Sequence, residues 1–227
     1  MTLVAKEVKK VYVWRGRLPS EYQEVERIRS SGTQYIDTTY TPWSYPTIDV
    51  TFELLWWNSN TWLPIYWRRY SWWQASWAIA LFVQSSSLYI TPNYWTFDPW
   101  TSWWVTISKN VKYNVVNDKW QFYIDWTLKT SLSTSNTLSS SGWHLWLFET
   151  NDSGTALGRN TQMKLYACKL YNNWTLERDF VPCYRKSDSV IGMYDLVNGV
   201  FYTNAGSGTF TKGNDVLPTE IQVRPTV

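Results

Sequence analysis

The sequence predicts an all-β protein built as a two-sheet antiparallel sandwich, and three observations carry the prediction. Apolar and aromatic residues alternate with polar ones in segments of about five to eight residues, the period of a half-buried strand. Turn signals separate these segments at intervals of about 8 to 12 residues, a spacing of sandwiches and barrels and not of βαβ units. Thr, Ser, Tyr and Asn are abundant while charged residues make up only 17% of the 227-residue chain, which favours strands over helices.

The elements follow in order. Residues 1–17 read as a basic connector with one β-like segment, Val8 to Val13. Residues 18–215 read as a single sandwich domain, ordinary in size for that architecture, and residues 216–227 as an extended, loosely held tail with two prolines. Within the domain, Glu21 to Tyr40 gives two short strands around Ser30-Ser31-Gly32, and Thr47 to Leu55 alternates cleanly through Ile48, Val50, Phe52 and Leu54. Further strands are predicted at Leu63 to Tyr66, Ala78 to Gln84, Leu88 to Thr91, Trp104 to Ser108, Lys112 to Val116, Gln121 to Ile124, Thr127 to Leu132 and His144 to Glu149. Ser131 to Gly142 is Ser-rich and reads as a loop. From Lys164 to Phe210 a run of strands joined by tight turns places Tyr166, Leu170, Phe180, Val181, Ile191, Tyr194, Val200 and Tyr202 on buried sides.

The tryptophan distribution is anomalous. Tryptophan occurs 18 times and glycine 10, an inversion of ordinary usage. Between Gly32 and Gly142 lie 109 residues without glycine but with 14 tryptophans, where average usage would place roughly eight glycines. After Trp174 there are no tryptophans, and glycines return at turn positions. Ile124-Asp125-Trp126-Thr127 and Asn172-Asn173-Trp174-Thr175 occupy places where a two-residue hairpin wants Asp-Gly or Asn-Gly, because a type I′ turn needs positive φ at both central residues. Some bacterial lineages and their phages read the UGA codon as glycine. The pattern is that of a gene from such a source, in which many of these tryptophans stand for native glycine. The rival reading is a Trp-rich sugar-binding protein, although stacking platforms need only about two or three such residues, and consecutive Trp-Trp on a strand points to opposite faces.

Charge and targeting signals narrow the partners. The formal net charge of +3 is small and spread along the chain, so no clustered basic face points to nucleic acid. The basic start, MTLVAKEVKKVYVWRGR, lacks the apolar run of about 7 to 15 residues that a secretory signal requires. No run of about 18 apolar residues is present to span a membrane. The expectation is a protein that is cytoplasmic, assembled into a particle such as a virion, or cut from a longer precursor. Cys168 and Cys183 lie in neighbouring predicted strands and their pairing stays open, with buried free thiols favoured.

Three segments carry a family resemblance: LPSEYQEVERIRSSGTQYIDTTYTP near the start, Asp125-Trp126-Thr127 in the middle, and CKLYNNWTLERDFVPCYRKSDSVIGMYDLVNGVFYTNAGSGTF near the end. Together they resemble concanavalin A-like (laminin G-like) jelly-roll domains of phage and bacterial surface proteins, over roughly Leu18 to Asp215. In such relatives IDTGYTP, DGT and NGTL are usual, so Thr39, Trp126 and Trp174 stand where glycine is expected. The resemblance implies two packed antiparallel sheets in a jelly roll. It also implies a phage tail, virion or cell-surface setting with neighbouring structural proteins, and functions ranging from lectins and adhesion modules to glucanases.

Chemistry is sparse. Retaining glucanases of this fold carry carboxylates on alternate residues of one strand so that two acids about 5 Å apart face one substrate, and no Glu-x-Asp-x-x-Glu segment occurs. Glu24-Val25-Glu26 alternates but reads as a solvated strand face. Glu149-Thr150-Asn151-Asp152, following the strand with the lone His144, reads chiefly as a turn, with a ligand contact at His144 and Glu149 or a Ca²⁺ contact at Asp152 as the functional reading. No Gly-x-Ser-x-Gly nucleophile motif is present, and one histidine with two separated cysteines makes no zinc site. Arg68-Arg69-Tyr70 and the segment from Tyr89 to Tyr94, which contains Asn93, are the best polar and aromatic clusters for glycan contact. The sequence thus points to a non-catalytic recognition or structural module that takes a glycan or cell-surface polysaccharide, with no required cofactor. A glycoside hydrolase or lyase and a ligand-free scaffold are the alternatives.

Overall fold

The computed structural model describes residues 17–43, 46–56, 62–68, 79–84, 87–91, 103–119, 121–131 and 142–217. Among these residues there are nineteen strands and no helix. The chain enters through β1 (Tyr22–Glu24), β2 (Ile28–Arg29) and β3 (Ile36–Asp37), then the long β4 (Pro46–Leu54). Next come β5 (Leu63–Arg68), β6 (Ile79–Gln84), β7 (Ser87–Thr91), β8 (Trp103–Thr106), β9 (Lys112–Asp118), β10 (Gln121–Ile124) and β11 (Thr127–Ser131). The last third supplies β12 (Trp146–Leu147), the short β13 (Asn151–Asp152) and β14 (Thr155–Ala156), and the long β15 (Met163–Asn172) and β16 (Thr175–Arg185). It ends with β17 (Ile191–Asp195), β18 (Val200–Thr203) and β19 (Thr211–Lys212).

These strands build a two-sheet antiparallel sandwich. The larger sheet runs β11-β10-β9-β4-β15-β16-β17-β18, with β1 on β16, β2 on β15 and β19 on β2. The smaller runs β3-β12-β5-β6-β7-β8, and β13 pairs with β14 as a separate hairpin. Alternation along each strand decides what faces inward. Ile48, Val50, Phe52, Val115, Leu165, Cys168 and Leu170 of the larger sheet meet Ile65, Tyr66, Leu81, Val83 and Leu147 of the smaller in one fully buried core. A satellite cluster of Leu18, Val181, Cys183 and Tyr194, flanked by Tyr22 and Phe201, covers the outer face of β16 to β18. Trp67, Ala80 and Phe82, with Trp62, form a third cluster on the outer face of the smaller sheet.

Several boundaries differ from expectation for identifiable reasons. The segment from His144 to Glu149 is ladder-paired only at Trp146 and Leu147, because Phe148 adopts φ +74° and leaves the extended region. Tyr166 points away from the core, where its hydroxyl donates to Glu53 Oε2 at 2.7 Å, because a bulge between Leu165 and Ala167 inserts one residue into β15. Val200 is 44% exposed. Cys168 and Cys183 are free and buried, one in the main core and the other in the satellite cluster. Burial pushes both thiols up, Cys183 to about 12. The segment Val8 to Val13 lies outside the described residues.

The two hairpin tips singled out in the sequence are two-residue turns. Ile124 pairs Thr127 across Asp125-Trp126, and Asn172 pairs Thr175 across Asn173-Trp174. All four central residues have positive φ: Asp125 +47°, Trp126 +63°, Asn173 +44° and Trp174 +70°. Asp and Asn tolerate this conformation, whereas a Cβ-bearing aromatic residue pays roughly 1–2 kcal/mol. Trp126 is 77% and Trp174 66% exposed, so neither recovers much by burial. Lys119 Nζ lies 4.1 Å from the Trp174 ring centroid, a cation–π contact worth about 0.5–1 kcal/mol at the surface. Trp126→Gly should therefore raise the free energy of unfolding by about 0.5–1 kcal/mol, net of glycine's greater unfolded-state entropy. Trp174→Gly should gain less, because it loses the Lys119 contact. Urea denaturation at constant m-value reads both changes, and a loss of stability in Trp126→Gly would contradict the strain assignment.

Candidate functional site

Of the polar residues that sequence reasoning singled out, His144 meets the edge strand β3. Ile36 pairs Leu147 and faces the core, which turns Asp37, paired with Trp146, to the outer face of the smaller sheet. Asp37 Oδ1 accepts the Thr39 N–H at 2.9 Å and lies 2.9 Å from His144 Nδ1, with Oδ2 at 3.2 Å. The His144 and Asp37 side chains are 39% and 33% exposed. This polar pair is thus fixed in place and still open to solvent. Beside it the Tyr35 ring stacks on Trp146 with centroids 4.6 Å apart and planes 27° apart. Burial raises the Tyr35 phenol above its ordinary value, and the nearby Asp37 and Glu149 carboxylates add to the shift.

Glu149 is placed differently from a ligand contact. It is 1% exposed, and its Oε1 accepts the N–H groups of Thr150 at 2.7 Å and Arg159 at 3.0 Å. Burial pushes its carboxyl up, and the N–H donors of Thr150, Arg159 and Gly158 oppose that shift. The carboxylate closes the base of the 150–160 excursion that bears the β13–β14 hairpin. Asn151 then joins this hairpin to the site, its Nδ2 donating to the His144 carbonyl at 2.7 Å while its Oδ1 accepts the Gly154 N–H at 2.7 Å. Glu149 is a positioning residue for the surface around His144. Asp152 sits opposite Thr155 in the same hairpin, half-buried.

The remaining candidates divide. Arg68, expected in an exposed cluster, is fully buried. Its Nη1 donates to the Pro42 carbonyl at 2.9 Å, and desolvation lowers its guanidinium to about 10. Tyr89 stands opposite Phe82 in the β6–β7 ladder, while Arg69, Tyr70 and Asn93 lie outside the described residues. Tyr35 and Asp37 are the residues of the candidate site that sequence reasoning missed. Their one signal was the polar Asp at the end of the alternating Gln34-Tyr35-Ile36-Asp37 segment. Among the described residues no group of three or more His, Cys, Asp or Glu could hold a metal ion.

The smaller sheet's outer face is rich in tryptophan, and those indoles fit poorly. The buried N–H groups of Trp67, Trp143 and Trp146 have no acceptor among the described residues, whereas a buried indole N–H ordinarily finds one.

No family model matches the chain, and no curated protein matches it. Among solved structures the chain is similar to the CBM40 of the Ruminococcus gnavus IT-sialidase. The form bound to α2,3 sialyllactose aligns with a TM-score of 0.43 and 12% identity, covering 68% of this chain and 91% of that one. A second structure of that CBM40 aligns with a TM-score of 0.44 and 13% identity, covering 69% of this chain and 92% of that one.

The Glu149 geometry has a pH signature with a definite sign. A carboxyl raised on folding binds protons more tightly in the folded chain, so its contribution is fully present below the unfolded value and fades as pH rises through the folded one. Relative to Glu149→Gln, the native chain should lose stability as pH rises from about 4 toward 7, measured by urea denaturation at each pH. Glu149→Ala should cost about 1–3 kcal/mol by orphaning buried N–H donors.

Proposed function

We propose that this chain is a non-catalytic glycan-recognition module, carried on a phage or prophage particle or a cell-surface assembly. The observation that supports it best is the half-exposed Asp37–His144 pair beside the ring of Tyr35. A fixed carboxylate and imidazole offer the directional hydrogen bonding that sugar hydroxyls need, and an adjacent aromatic ring offers apolar surface for a pyranose face. Asp37 holds a position in β3, and the His144 carbonyl is tied through Asn151 to the hairpin whose base Glu149 closes, which limits the ordering cost of binding.

A hydrolase reading has one supporting observation, since the Asp37 and Glu149 carboxylates both act on Tyr35. Two acids could in principle divide the roles of acid and base. The commitment of Glu149 Oε1 to two backbone donors argues instead for a structural carboxylate.

The tryptophan reading bears on which surfaces are native. Positive φ at Trp126 and Trp174, and the acceptorless indoles of Trp67, Trp143 and Trp146, support the inference that several of these positions are glycine in a source that reads UGA as glycine. Asp37 and His144 are not among those positions, whereas the Tyr35 ring stacks on one of them, Trp146. Intact mass of the protein from its natural source decides it, full-weight tryptophan at these positions sinking the idea.

A glycan array followed by titration calorimetry tests the function. Binding should weaken by roughly tenfold or more, about 1.4 kcal/mol, in Tyr35→Ala and in Asp37→Asn. An array without signal would speak for a scaffold. Hydrolysis of β-glucans that vanished in Glu149→Gln, with folding retained, would make the protein an enzyme.

A further inference from the structure

A groove of about 450 Å³ opens where the β16–β17 turn faces the loop after β18, within the size range of small-ligand sites. Asp188, Ser189, Ile191, Thr203, Thr209 and Phe210 line it. Its apolar floor is anchored in the core: Phe210 is 2% exposed and packs on Phe148 with centroids 5.3 Å apart. The walls are short hydroxyl-bearing residues and bare backbone at Gly206 and Gly208. Among the described residues no tryptophan lines it, so this lining does not change with how the code is read.

The wall is held rigidly. Asn204 Oδ1 accepts the N–H groups of Tyr35 at 3.1 Å and Gly206 at 2.8 Å, and its Nδ2 donates to the Gly208 carbonyl at 2.9 Å. The Ala205 N–H donates to the Tyr35 carbonyl and the Ser207 N–H to the Thr33 carbonyl, at 2.9 and 3.0 Å. The loop is thereby tied to the segment that leads into Asp37. The Tyr35 ring also flanks Gly206, lying 3.0 Å from where a Cβ on that residue would stand. Tyr35 thus stands behind one wall residue of the groove and beside the Asp37–His144 pair.

Charge decides the ligand class. Among the described residues, Asp188 is the one charged residue lining the groove, and no Lys, Arg or His does so. Its carboxylate is taken up by Arg185, with Nε at 3.1 Å from both oxygens and Nη2 at 2.6 Å, and by the Val190 N–H at 3.2 Å. An anionic sugar would meet the Asp188 carboxylate there and a guanidinium already committed to it, whereas a neutral sugar meets hydroxyls, carbonyls and an aromatic floor.

We infer that this groove is a second subsite for a neutral saccharide residue, tied through the Thr33–Tyr35 segment to the Asp37–His144 surface, so that the module takes neutral glycan chains and not sialylated or uronate ones. The inference rests on the glycan-binding reading above. The probes are neutral hexasaccharides of glucose, galactose and mannose, the galacturonate hexamer, and sialyllactose, titrated into the full chain. The neutral hexamers should bind, and a neutral one should lose roughly tenfold in affinity in the Thr203→Val/Thr209→Val double variant and in Thr209→Trp, which fills the groove. Both variants change exposed positions, and an unaltered melting temperature verifies their folding. Preference for the galacturonate or sialyl probe overturns the inference while leaving glycan recognition standing. So does neutral-glycan binding that is sensitive to Tyr35→Ala but unmoved by both groove variants. Absence of binding to every probe overturns the glycan reading itself and this subsite with it.

Discussion

The pairing of β4 with β15 is the constraint on which the rest of the structure depends. It joins segments more than 100 residues apart in a ladder from Met163 opposite Leu54 to Asn172 opposite Pro46. Because the side-chain period of a strand is two, a one-residue slip would turn Ile48, Val50, Phe52 and Leu54 outward together. The bulge at Tyr166 resolves a conflict in the same ladder. It lets Leu165 and Cys168 both face inward although they are three residues apart, and it directs Tyr166 to the outer face. There Glu53 receives the Tyr166 hydroxyl and Lys164 Nζ, the latter at 2.6 Å. Glu53 stays ionised more readily than usual, since these partners outweigh the burial that opposes them.

What each sheet does for the site follows from that frame. The larger sheet supplies the scaffold and, through β17 and β18, one wall of the groove. The smaller sheet supplies an edge, β3, whose two paired residues divide their labour: Ile36 is sealed into the core and Asp37 is displayed. Edge strands carry exposed backbone groups that invite further pairing. Here β3 is only two residues long, and Asp37 turns its carboxylate back onto the Thr39 N–H, which bends the chain away at once.

Much of the fold was legible in the sequence where local signals and tertiary structure agree. Gln121 to Ile124 is the strand that alternation predicts, with Phe122 and Ile124 inward, and Asp125-Trp126 is the turn that its spacing predicts. Legibility fails where the deciding partner is remote. Arg68 looks like surface chemistry beside its neighbours, but β5 continues through it and parity sends it inward to Pro42. His144 and Glu149 were visible as a polar strand end, whereas the partner of His144 comes from Asp37, 107 residues earlier. Nothing in either segment announces the other. The β13–β14 hairpin was equally hidden, since Glu149-Thr150-Asn151-Asp152 reads as a bare turn until the Glu149 carboxylate gathers the backbone around it.

The two cysteines give the fold an unplanned property. They lie in different clusters, both buried and both with thiols that resist ionisation, so the folded chain offers neither as an accessible thiolate. Each thiol is at the same time a silent clock. Cys168 becomes reactive only when the two sheets part, and Cys183 when the cover formed by Leu18 and Tyr22 lifts from β16. The chain therefore carries, without added labels, separate reporters for opening of its core and for fraying of its N-terminal cover.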